Sequence, residues 1–131
     1  SGTIELHCEP DGTNLGGTSI KTEPHKTRSF TMPCVSLDDC ILPPLDLLKL
    51  DIEGAEADAI DGMANMLQSA PPRAMILEST AMDSERLCER LRLLAAIGYR
   101  IQKIVDNNHP RLEDVEIEAL IGANAELFLS L

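Results

Sequence analysis

Between positions 46 and 105 short apolar runs alternate with longer segments of helical period, and few folds accept that alternation. Asp46–Ile52 (DLLKLDI) is a compact apolar run of the kind found in strands buried on both faces. After Gly54 the spacing predicts a helix over Ala55–Leu67, because Ile60, Met63, Ala64 and Leu67 recur at i, i+3, i+4 and i+7. Ala70-Pro71-Pro72 stops it, and Ala74–Leu77 (AMIL) reads as a second buried strand running out at Glu78-Ser79-Thr80. A further helix is expected over Asp83–Ile97, with Leu87, Leu91, Leu94 and Ala95 on its apolar stripe and Gly98 at a left-handed cap. Tyr99–Val105 is a third strand. Strand, helix, strand, helix, strand is the signature of a parallel sheet with crossover helices, so the fold class is α/β.

The flanks are less regular. Thr3–Cys8 alternates like a strand, and Glu9–Ser19 is turn material with Asp-Gly and Gly-Gly breakers. Phe30–Val35 reads as a second strand in which Pro33 demands an edge or irregular position. Ser36-Leu37-Asp38-Asp39 fits a capping pattern opening a short helix over Leu37–Leu42, which Pro43-Pro44 ends. Beyond Val105, a loop over Asp106–Arg111, one short helix within Leu112–Ile121 and a last strand over Glu126–Leu131 are expected. The chain therefore divides into a connecting hairpin and loop region, 1–35, and the strand-helix repeats of 36–131, within one domain.

Composition narrows the function classes. A net charge of −11 discourages binding to phosphate backbones and anionic lipid, so neither a nucleic-acid nor a membrane partner is expected. With no Trp, one Tyr and two Phe there is no stacking platform for single strands. No N-terminal apolar segment or run long enough to cross a bilayer is present, and a cytoplasmic location is the expectation. Cys8, Cys34, Cys40 and Cys88 form no CxxC pair and no zinc spacing, and are read as reduced, buried or half-buried thiols.

The chemistry concentrates in Lys49-Leu50-Asp51-Ile52-Glu53-Gly54-Ala55-Glu56. Strand alternation puts Leu48, Leu50 and Ile52 on one face and Lys49 with Asp51 on the other. A lysine and a carboxylate on an interior strand are costly unless they pair or reach a cavity. Asp51 falls at the carboxyl end of its strand, where ligands bind in open α/β sheets. Asp51 and Glu53 are the candidate catalytic residues, whereas Glu56 reads as an acid favouring the positive end of a helix. A carboxylate such as Asp51 would orient a hydroxyl acceptor, or take its proton if burial raises its pKa. His25 is a candidate proton acceptor in a loop, ahead of His7 and His109. Asp51, Glu53 and Glu78 could gather oxygen ligands for Mg²⁺, but three acids at two strand ends are a thin basis, and no metal site is assigned.

The segment K-x-D-x-E-G-A-E, with Val35-Ser36-Leu37-Asp38-Asp39 about a dozen residues before it, resembles the FkbM methyltransferase family. Pro71–Glu78 (PPRAMILE), Gly98-Tyr99 and Asn14–Ser19 (NLGGTS) are similar to further segments of that family, in the same order. The resemblance implies a class I methyltransferase fold, Rossmann-like, with a mostly parallel sheet and an antiparallel last strand. It implies S-adenosylmethionine as cofactor and a small-molecule acceptor methylated on a hydroxyl oxygen of a sugar or natural product. The family's glycine-rich cofactor loop and ribose-binding acid have no counterpart in this sequence. The chain thus corresponds to strands four to seven and lacks the first strands, so that activity and cofactor binding by this piece alone are not expected. On that mapping Asp51 and Glu53 line the cleft near the transferred methyl group, Asp51 touching the cofactor, while Glu78 and Ser79 face the acceptor together with His25.

Two other classes compete. A non-catalytic α/β domain would self-associate through an exposed sheet edge, by unpaired backbone groups, as a homodimer. A receiver-like phosphoryl-transfer domain would need an acidic pair on an early strand and a Lys on a late one, and Lys103 lies inside a strand pattern instead.

Overall fold

The computed structural model describes residues 2–10, 17–81, 84–106 and 108–131. Asp83 and the first half of the Asn14–Ser19 segment, 14–16, lie outside the described residues. Two sheets form. Strands β1 (Gly2–Cys8) and β2 (Arg28–Cys34) make an antiparallel ribbon in register Gly2↔Cys34 to Cys8↔Arg28. The second sheet has five strands: β3 (Leu47–Leu50), β4 (Ala74–Ser79), β5 (Arg100–Val105), β6 (Arg111–Asp114) and β7 (Ala125–Ser130). Their order is β3-β4-β7-β5-β6.

The α/β class holds, but the sheet is not mostly parallel in its pairings. Only β3 and β4 pair in parallel, whereas β7 runs antiparallel to both of its neighbours and β6 antiparallel to β5. The reason is topological. β3, β4 and β5 share one direction, and the last strand inserts between β4 and β5 instead of extending an edge. Its alternation carries that central position: Ala125, Leu127 and Leu129 are buried, while Phe128 and Ser130 are only half-buried.

Helices α1 (Glu56–Asp61), α2 (Ala64–Ser69) and α3 (Ser84–Ala96) supply the second layer. Met75 and Leu77 of β4 and Leu127 and Leu129 of β7 pack with Ile60, Met63, Leu87, Leu91 and Leu94. Burial of each such side chain is worth about 1.5–3 kcal/mol relative to exposure. Cys88, rather than the exposed Ala95, completes the stripe of α3. Gly98, at φ 114°, ends that helix as expected: its N–H bonds Ala95 O and that of Tyr99 bonds Leu94 O. The Tyr99 hydroxyl, buried, donates to Pro72 O.

Several expectations need correction. The single helix of Ala55–Leu67 is two, broken at Gly62-Met63. The Gly62 carbonyl accepts from Asp38 N at 2.9 Å and from the Ser36 hydroxyl. Met66 N, its partner in a continuous helix, donates instead to Asp38 Oδ1 at 2.9 Å. The segment 36–39 thus takes the bonds the helix would have made, and is itself only a 3-10 turn over Leu37–Asp39 capped by Ser36. Residues 111–121 hold strand β6 followed by a 3-10 helix over Ile117–Leu120. β3 is an edge strand, with Leu47 exposed and only Leu50 fully buried, not a strand covered on both faces. Cys34 is exposed; the four thiols are free. Among the described residues no helix is long and apolar enough to cross a membrane.

Candidate functional site

The acids reach one place because β3 stops at Leu50 and the chain then turns sharply. Asp51 leaves the strand end, Glu53 and Gly54 take φ of 55° and 91°, and α1 begins at Glu56. Gly54 is favoured by its φ, which disfavours any side chain; the Lys21 side chain lies close by, its Nζ 2.7 Å from where a Cβ would stand. In the parallel pairing Leu50 lies opposite Leu77, which sets Asp51 beside Glu78 at the carboxyl end of β4. Carboxylate oxygens of Asp51, Glu53 and Glu78 all lie within 4.8 Å of one another.

Their electrostatics differ. Lys49 Nζ sits 2.9 Å from Asp51 Oδ2, and its hydrogen bond and charge hold the Asp51 carboxyl below the usual carboxylate range. Glu78 is pushed up, first by burial and then by the charges of Asp51, Glu53 and Glu56. With Asp51 held low and Glu78 pushed up at such close range, the first proton taken by the pair belongs on Glu78. The net shift is therefore upward on Glu78, whereas on Asp51, the group the sequence suggested, Lys49 outweighs burial and the shift is downward. The Lys49–Asp51 pair is about half exposed, at 56% and 47%, so the feared cost of burying it is absent.

Two adjoining cavities share Asp51. One, of about 430 Å³, lies across the strand ends between Lys49, Asp51, Glu78, Lys103, Asn124 and Glu126. The other, of about 550 Å³, lies between Asp51, Glu53, His25, Lys26 and Glu23. His25 is exposed and stands 3.6 Å from a Glu23 carboxylate oxygen. Lys26 is buried, its amine donating to Ser19 Oγ at 2.9 Å and to Glu23 at 2.5 Å. Of the five candidate residues, Asp51 and Glu78 therefore border the first cavity, and Asp51, Glu53 and His25 the second. Ser79 borders neither: alternation along β4 turns it toward the helices, where its hydroxyl is buried with no hydrogen-bond partner among the described residues. His7 and His109 lie elsewhere, the first beside Thr22 and the second in the turn after Asp106.

Lys103 and Asn124 are wall residues that sequence reasoning did not find. Lys103 was legible only as a strand residue, and Asn124 carries no motif; its placement follows from its side chain accepting from Ala81 N at 2.7 Å. The three clustered acids have spacing compatible with an oxygen-ligated cation, a property common among surface acids.

Comparison with known proteins agrees with the geometry. No curated protein and no solved structure matches the chain significantly. A family model does: the one described as "Methyltransferase FkbM domain" matches residues 3–101, a span that holds the ribbon, the acid-bearing turn and β4. The chain belongs to the FkbM methyltransferase domain family.

Proposed function

We propose that this domain serves S-adenosylmethionine-dependent O-methylation of a hydroxyl on a small-molecule acceptor, a sugar or natural product, with Glu78 as proton acceptor. The observation that carries the reading is the pairing of an ionised Asp51 with a proton-attracting Glu78 at adjacent strand ends, inside the family's matched segment. The placement of an antiparallel β7 between β4 and β5 supports a class I methyltransferase sheet.

The donor set fits one end of the cofactor. Asp51 and Glu53 offer negative charge to a sulfonium, while the wall residues of the two cavities are largely polar or charged and offer little to an adenine ring. Bound there, the cofactor would supply an electrophilic methyl group. The chain's own work is on the acceptor. Asp51, held ionised by Lys49, accepts a hydrogen bond that orients the hydroxyl. Glu78, in its carboxylate form, takes the hydroxyl proton as that oxygen becomes nucleophilic. Lys103 and Asn124 contribute donors to the acceptor's other polar groups, and His25 lines the second cavity.

The test is calorimetric titration of the 131-residue chain with S-adenosylhomocysteine, beside a form carrying the family's glycine-loop half in front of it. The short chain is expected to give no measurable binding and the longer form to bind. Methyl transfer by the longer form to hydroxyl acceptors should fall about 10²–10⁴-fold in Glu78→Gln, the range for a lost general base. Tight binding by the short chain, or full activity in Glu78→Gln, overturns the assignment.

A second reading has an observation of its own. β3 is a sheet edge, and Phe30, Met32, Val35, Ile41, Leu42, Leu47 and Ile52 are large apolar residues exposed within one stretch of the chain. Self-association through that surface is compatible with either role.

A further inference from the structure

We infer that Glu56 is a positioning residue, whose buried carboxylate holds Ile52–Gly54 on the backbone path that brings Asp51 and Glu53 to the cavities. The inference rests on the reading of those two acids as site residues, but its observations are independent of it. Glu56 is 2% exposed, an unusual state for a glutamate unless its carboxylate is hydrogen-bonded. Its Oε1 accepts from Ile52 N at 3.0 Å and from Gly54 N at 3.3 Å.

Those partners separate Glu56 from an ordinary acid at a helix start. An acid in the first turn of a helix bonds the amides at that helix's own N-terminus, from the N-cap onward. Glu56 reaches backward instead, to amides four and two residues before it, across the turn. Between those two amides stands Glu53, which bears a side chain and still adopts φ 55°. Such a conformation costs free energy and persists only where its surroundings impose it. A carboxylate taking the N–H on either side is such an imposition, because charge-assisted bonds are about twice as strong as neutral ones. The Lys21 side chain also lies close to Gly54. Glu56 thus shapes the site through the backbone, in addition to the negative charge it sets near Glu78.

The test is nuclear magnetic resonance on the 131-residue chain with Glu56→Ala, Glu56→Gln and Glu56→Asp. Two signals report the turn: amide exchange at Ile52 and Gly54, and cross-relaxation between Lys21 Hε and Gly54 Hα. In Glu56→Ala the two amides should exchange roughly ten- to hundredfold faster and the Lys21–Gly54 signal should vanish, with protection in β4 and α3 kept. Glu56→Gln, which retains an acceptor oxygen at the same reach, should restore both signals. A residue that merely stabilised the fold would lower protection everywhere and leave the cross-relaxation of the folded form intact. Should Glu56→Ala fail to fold, Glu56→Asp replaces it: its carboxylate stops one methylene short, so it should lose both signals where Glu56→Gln keeps them. Retention of both signals in Glu56→Ala or Glu56→Asp, or their loss in Glu56→Gln, overturns the inference. None of these readouts needs methyl transfer, so failure of the functional reading would leave this result standing, and the reverse.

Discussion

Glu78 and Asp51 face each other with opposite tendencies, and pH separates them. The Glu78 carboxyl sits above its ordinary value in the fold, so its favourable contribution is fully present below the unfolded value and is lost as pH rises through the folded one. At neutral pH the ionised, half-buried group therefore penalises stability. Glu78→Gln should raise the melting temperature at pH 7 by roughly 1–3 °C. The gain should shrink toward zero below pH 4, where the native carboxyl is already protonated; an equal gain at both pH values would contradict the assignment. Asp51 has the opposite sign, its contribution present at neutral pH and lost as pH falls through its lowered value, but its exposure keeps that term small. The acids themselves were legible in the sequence, since K-x-D-x-E-G places three charges at a strand end. Which of them would hold the proton was not, because that depends on Lys49 turning to Asp51 and on the neighbouring strand delivering Glu78. Nor did Glu56 announce its backward reach, which requires the turn's dihedrals.

At the scale of elements, the apolar period located α3, β4 and β7 closely, since each buries a full stripe or face, and β5 too, although only Ile101 of that strand is fully buried. It failed where bonds from a distant segment override the local pattern. The apolar stripe of Ala55–Leu67 is continuous, yet Asp38 takes the amides of Asn65 and Met66, both at 2.9 Å, and so starts a new helix at Ala64. Asp38 is thus an N-terminal cap supplied from 27 and 28 residues away. Asp38→Ala should cost about 0.5–2 kcal/mol, read as a lowered urea midpoint with an unchanged slope. β6 escaped notice for another reason: Arg111–Asp114 is exposed throughout, and its hold on β5 includes the Arg100–Asp114 ion pair rather than a buried face.

For the whole molecule, the helix layer covers one face of the sheet, while Ile76, Glu78 and Phe128 on the other are only half-buried. The ribbon adds to this, because register sets Ile4 opposite Met32 and Leu6 opposite Phe30 on one side, with Phe30 and Met32 each more than 40% exposed. A two-stranded ribbon is marginal by itself in water, and an apolar side left open invites cover. The β3 edge lies within the same exposed stretch, and among the described residues no backbone hydrogen bonds besides its pairing with β4 occupy Leu47–Leu50. At tens of micromolar the 131-residue chain should therefore show a mass above the monomer's 14.3 kDa by light scattering, falling on dilution. Leu47→Lys places a charge on the edge without touching the acid-bearing turn, and should return the chain to monomer with its helical signal intact. A monomer at every concentration would show instead that the ribbon and edge tolerate solvent, and would remove the self-association reading while leaving the methyltransferase one in place.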